Sequence, residues 1–194
     1  MAYAVAYCVH TWEMSALRGW AVAFLGYVAV TTSADPGWLT PAAVATLTAL
    51  LGTAASVTGN EIAIACGRAR TVRVTMIVSM LCAAVVGFLG AADYHVAVAF
   101  IVLWGILIWL DSSSLTGGTT MNAEPHRRGA TLALHSMLGY AGGFVGPLVV
   151  GWTLDATGGM SRTAWGVAFA SAALAVLAGR IAFGYLARAE KQTA

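Results

Sequence analysis

Charge is what this sequence has least of. Only 9% of its 194 residues are Asp, Glu, Lys or Arg, whereas 59% are hydrophobic, too little polar surface to cover a water-facing domain. With a mean hydropathy of +0.79, the expected solvent is the bilayer. The net charge of +2 is small and the arginines are dispersed, which leaves no electrostatic footprint for nucleic acid. Cysteine is scarce as well. Cys8, Cys66 and Cys82 are odd in number and lack Cys-x-x-Cys spacing, so they read as small core residues rather than a metal or redox pair. No His-Glu-x-x-His stretch occurs, and His10-x-x-Glu13 alone supplies too few ligands for a metal-dependent hydrolase. The opening residues MAYAVAYCV lack the basic leader and cleavage site of a signal peptide, so the chain is expected to begin in a membrane helix.

What the sequence has in abundance is long apolar runs. Marking stretches of about twenty residues between polar or Gly/Pro-containing breaks predicts six helices, at roughly 3–31, 41–65, 73–92, 96–121, 129–153 and 163–186. The breaks are short, and no soluble domain fits between them, so residues 1–194 form one transmembrane domain. Starting inside, the cytoplasmic breaks hold Arg68, Arg70, Arg73, Arg127 and Arg128, and the tail adds Arg188 and Lys191, whereas the other side holds only Arg162. This positive-inside bias predicts both termini in the cytoplasm. The fold expected is an all-α membrane protein with six transmembrane helices.

Two stretches break the apolar pattern. The first, HTWEMSALRGW, places His10, Glu13 and Arg18 inside the first apolar run. A charged side chain at mid-membrane costs about 2.5–3.5 kcal/mol even on lenient scales, so such groups face a partner or a wet cavity. At about 100° per residue they spread over roughly 140°, which suits a helix lining a cavity. The second, WLDSSSLTGGTTMN, sets Asp111 before three serines and two glycines in the fourth run. Counted back at about 1.5 Å per residue, Glu13 and Asp111 each lie roughly 15 Å from the cytoplasmic boundary, and His135 about 10 Å from it. For Ser112 to Ser114 the readings are back-bonding to their own helix or bonding across an interface.

Six helices with both ends inside, a GRAR turn from Gly67 to Arg70, and GYAGGFVGPLVVG from Gly139 to Gly151 resemble the C-terminal half of a bacterial major facilitator superfamily transporter. The likeness spans essentially the whole chain. The turn keeps only the tail of the family's cytoplasmic signature, with Asn60 and Ile64 where a Gly and an Asp would stand. The fifth run matches the antiporter-type motif at Gly142, Gly146, Pro147 and Gly151, with Val150 replacing a glycine. It does so in the half where that motif is not usually described, so antiport is not carried over with it. Small residues four apart read first as a tight packing seam, and Pro147 adds the capacity to bend. Asn60 and Glu61 lie near the cytoplasmic boundary, where a gating contact with Arg68 and simple solvation are both open readings.

The resemblance implies two inverted three-helix repeats, in which the first and fourth helices correspond and substrate sites form near the midplane. Both odd stretches fall in those helices. Glu13, Arg18, Asp111, His10 and His135 are therefore the candidate cavity residues. The implied function is secondary transport of a small polar or anionic solute by alternating access, coupled to protons, in the bacterial inner membrane. The implied partner is a second six-helix half, either an N-terminal half or a second copy. No cofactor is expected. A non-transporting scaffold or truncated remnant is the alternative. An intramembrane serine protease is disfavoured, because the one Gly-x-Ser, Gly159-Met160-Ser161, has no histidine after it. The charge bias makes a direct prediction: cysteines introduced beside Asp35, Asp93 and Asp155 react with an impermeant reagent from the periplasmic side, and cysteines beside Arg70 and Arg127 do not. The reverse labelling pattern would sink the orientation.

Overall fold

The computed structural model describes residues 1–192, with side chains through Ala189; the Lys191 side chain, counted above among the basic groups, lies outside them. Among the described residues, seven α-helices form six segments long and apolar enough to cross a membrane. They are α1 (Ala2–Thr31), α2 (Pro41–Cys66), α3 (Arg68–Leu89), α4 (Tyr94–Trp109), α5 (Ser112–Met121), α6 (Arg128–Ala156) and α7 (Arg162–Gln192). No strand occurs among the described residues.

Local chemistry explains the boundaries. Thr40 caps α2 by accepting from the Ala43 amide at 3.2 Å, with Pro41 in the first turn, where its missing N–H costs nothing. Asp93 caps α4 by accepting from His95 and Val96 at 2.8 and 3.0 Å. Gly67, at φ 89°, turns the chain from α2 into α3 alone. For that reason α3 starts at Arg68 and not near residue 73: with the reversal complete in one residue, the arginine-rich stretch is free to be helical. The last two helices also run beyond their expected ends, to Ala156 and Gln192.

The larger departure is in the fourth segment, expected as one helix over 96–121. It is two. Helix α4 ends at Trp109, Leu110 and Asp111 form a turn, and α5 restarts at Ser112. The sequence after the break (Ser112, Ser113, Ser114, Gly117, Gly118) has little intrinsic helical preference, and the Leu110 carbonyl is pressed onto the bare backbone of Gly59 in α2.

Packing follows pairs. Helix α1 packs chiefly on α6, α3 on α7, and α2 on α4 and α5, while α1 also meets α7 and α3 meets α4. Aromatic rings fill the centre, with Phe24 5.3 Å from Trp165 and 5.2 Å from Phe169, and Trp104 5.3 Å from Phe169. The flanking helices α2 and α6 bury only narrow stripes: Val44, Thr48, Gly52, Ala55, Gly59 and Ala63 on α2, and His135, Gly139, Gly142, Gly146, Val150 and Leu154 on α6. The opposite face of α6 presents Met137, Tyr140, Phe144, Leu148 and Trp152 outward. Cys66, expected as a core residue, is exposed at the end of α2, whereas Cys82 is buried.

Contact between bare backbones is what lets α6 seat on α1. Gly142 touches the Cys8 carbonyl, Gly146 the Trp12 backbone, Gly151 the Trp20 ring, and Pro147 lies against Gly19. Trp20 also donates to the Pro147 carbonyl at 2.9 Å. Between lipid-solvated helices such close approach supplies the dispersion that a hydrophobic driving force does not. Alanine at Gly142 or Gly146 places a Cβ into a carbonyl and is expected to cost about 1–3 kcal/mol. Alanine at Gly26, where an added Cβ would meet no packed neighbour within 4 Å, should leave stability unchanged or slightly raised. Thermal unfolding of the three variants in one detergent checks the contrast.

Candidate functional site

The break at Leu110–Asp111 positions the centre of the site. Asp111 does not cap α5 with its side chain; its Oδ1 instead accepts from Nδ1 of His10 on α1 at 2.9 Å, and both groups are buried. Ser113 donates to the Ser56 carbonyl of α2 at 2.8 Å, an interface bond rather than a back-bond to its own helix. Ser114 is fully buried with no hydrogen-bond partner for its hydroxyl among the described residues.

Glu13 lies one turn along α1 from His10 and bonds elsewhere. Its Oε1 accepts from the Ser79 hydroxyl of α3 and from Nε1 of Trp104 on α4, the latter at 2.7 Å. No ion pair reaches it among the described residues, so two neutral donors replace the water that its carboxyl would otherwise bind. The sequence signal for Ser79 was a single serine in the apolar run of α3; Trp104 gave none, since an indole in a membrane helix reads as packing.

His135 joins a second polar group on the other side of His10. Its Nδ1 lies 3.0 Å from the Thr119 hydroxyl and its Nε2 3.4 Å from that of Thr116. The Tyr7 ring stacks between the imidazoles, 3.9 Å from His135 and 5.7 Å from His10. Asp111, His10, Tyr7 and His135 thus form a continuous column from the α4–α5 turn through α1 to α6.

Arg18 belongs to a different face. Five residues beyond Glu13, it points about 140° away, is exposed, and lies over the Trp109 ring at 5.1 Å. Trp109 in turn meets the His10 ring edge-on at 6.4 Å. The structure therefore joins His10 to Asp111 but joins neither His10 nor Arg18 to Glu13 by a hydrogen bond or ion pair. At the loop end, Arg68 donates to the Asn60 side chain at 3.3 Å, while Glu61 and Arg70 are exposed.

Two of the cavities that border α1 flank these residues. One, of about 420 Å³ between α1 and α6, is lined by Tyr7, Thr11, Ser15, Ser136, Tyr140 and Gly143 among others. The other, of about 70 Å³ between α1, α2 and α4, lies beneath Arg18. Neither is lined by His10, Glu13 or Asp111. No group of three or more His, Cys, Asp or Glu among the described residues could hold a metal ion.

Comparison of the sequence with protein-family profiles and with curated proteins gave no match. What the arrangement can do must be read from its chemistry. A hydrogen-bonded carboxylate–imidazole pair in a dry interior can hold or pass a proton, and removing one member strands the other at a cost of about 3–5 kcal/mol. His10→Leu and Asp111→Leu are each expected to lower thermal stability strongly, and the double variant to recover most of that loss. Additive losses in a denaturation series would mean that the two groups act separately.

Proposed function

We propose that the chain is one six-helix half of a secondary transporter of the major facilitator type. It moves a small solute by alternating access against a second half, with proton coupling, in a bacterial inner membrane and with both termini cytoplasmic. The observation that carries this reading is the broken fourth segment, tied through Asp111 to His10 of the first. Discontinuous helices at mid-membrane are how transporter folds bring polar groups to a central site.

The packing supports a repeat. Exchanging the first three segments for the last three maps the α1–α6 contact onto that of α4 and α5 with α2, maps α1–α7 onto α4–α3, and returns α3–α7 to itself. Local detail follows the same exchange: glycines of α6 rest on the Cys8 and Trp12 backbone of α1, and a glycine of α2 rests on the Leu110 carbonyl of the fourth segment. His10 and Asp111 stand beside those contacts in the two corresponding segments. The exposed aromatic face of α6 is a surface that a second half would cover, and the arginine bias supports the orientation.

A second reading, a non-transporting scaffold, has one observation in its favour: His10, Glu13 and Asp111 line none of the cavities described along α1. Uptake separates the two. In proteoliposomes containing the chain and its second half, Glu13→Gln and Asp111→Asn are expected to abolish driven uptake while leaving insertion and folding intact. A coupling role leaves counterflow exchange in at least one variant; a recognition role loses both. Well-folded variants with unchanged transport would remove the two carboxylates from the mechanism.

A further inference from the structure

We infer that the recess beneath Arg18 is a subsite for a small apolar monocarboxylate, with the carboxylate on the Arg18 guanidinium and the hydrocarbon tail between α1, α2 and α4. The inference rests on the transport reading for its biological purpose, but its evidence is local.

Arg18 stands near the middle of α1, a helix of 30 residues, at a depth where an unpartnered cation is costly. Among the described residues it forms no ion pair: Asp111 is taken by His10, and Glu124 pairs with His126 and Arg127 in the α5–α6 connection. Its described contact is the Trp109 ring, which leaves the donor edge of the guanidinium available for bidentate recognition of a carboxylate. Trp109 is itself held in place. The pyrrole edge of its indole lies against Gly52 of α2, where any Cβ would displace it.

The recess below is apolar. Leu17, Ala21, Ala45, Ile101 and Ile108 form its walls. Thr48, the one hydroxyl there, already donates to the Val44 carbonyl at 2.7 Å. A sugar or an amino acid placed in it would have hydroxyls or an ammonium group left unpaired and desolvated. A volume of about 70 Å³ takes a tail of a few carbons. Trp109 also connects this subsite to the His10–Asp111 pair: its indole carries Arg18 and meets the His10 ring edge-on, and the next two residues are the helix break. An anion that draws Arg18 off or onto Trp109 acts on the residue that ends α4.

The test is titration calorimetry on the full chain in a nonionic detergent, with pentanoate and pentanamide as probes. Pentanoate is expected to bind roughly tenfold or more tightly than the amide. Arg18→Gln should erase that preference, Arg18→Lys should keep part of it, and Ala45→Leu should weaken pentanoate more than formate. Equal binding of the two probes to the unmodified chain, or a preference that survives Arg18→Gln, overturns the subsite. Repeating the titration in zwitterionic and in anionic lipid nanodiscs separates a free solute from a headgroup. Unchanged pentanoate affinity supports the proposal, and its loss in anionic lipid reassigns Arg18 to lipid and overturns it. Pentanoate binding without uptake of any solute by the reconstituted halves leaves the subsite standing and counts against transport. Uptake of another solute without pentanoate binding does the opposite.

Discussion

Inside a bilayer a polar group finds either a partner in the protein or a large energetic penalty, and the contact of Asp111 with His10 is where this chain meets that condition most acutely. A helix that simply continued through residues 110 and 111 would satisfy its own backbone. It would not need Gly59 beneath the Leu110 carbonyl, Ser113 on the Ser56 carbonyl, or an imidazole opposite the aspartate. The interruption is tolerated because its polar groups are enclosed by neighbouring helices. Those helices are held close enough to do so by their stripes of small residues.

The same requirement explains the division of labour among helices. Helices α1, α3, α4 and α7 carry the aromatic centre and the carboxylate of Glu13, which needs donors from two different helices at once. Helices α2 and α6 are thin against the bundle and broad against their surroundings. On α6 the glycine stripe and the row from Met137 to Trp152 lie on opposite faces, so one helix serves both as a close-packed wall and as an outward surface. In the transport reading proposed above, that two-sided character lets a half-bundle stay rigid while its outer face moves against a partner.

Polar groups along α1 fall into two environments that the linear sequence runs together. His10 and Glu13 are enclosed; Arg18 and Ser15 border open clefts. Trp109 touches both, its ring under Arg18 and beside His10. This places an exposed cation and a buried acid–base pair a single side chain apart, with no water-filled path required between them.

Composition and periodicity alone determined that the chain is helical and membrane-spanning, because a bilayer demands long apolar runs and these cannot be hidden in a sequence. Six segments, their short connections, and the anomaly of His10, Glu13, Arg18 and Asp111 were legible for the same reason: each charge stands out against an apolar background. Which of those groups meet was not legible. His10 lies three residues from Glu13 and a hundred and one from Asp111, yet it bonds to the distant one, since helical phase turns Glu13 toward α3 and α4 while the approach of the fourth segment brings Asp111 to His10. The break in that segment was equally hidden. Serine and glycine lower helical preference without abolishing it, and only the carbonyl seated on Gly59, a contact between residues 59 and 110, decides that the helix stops there.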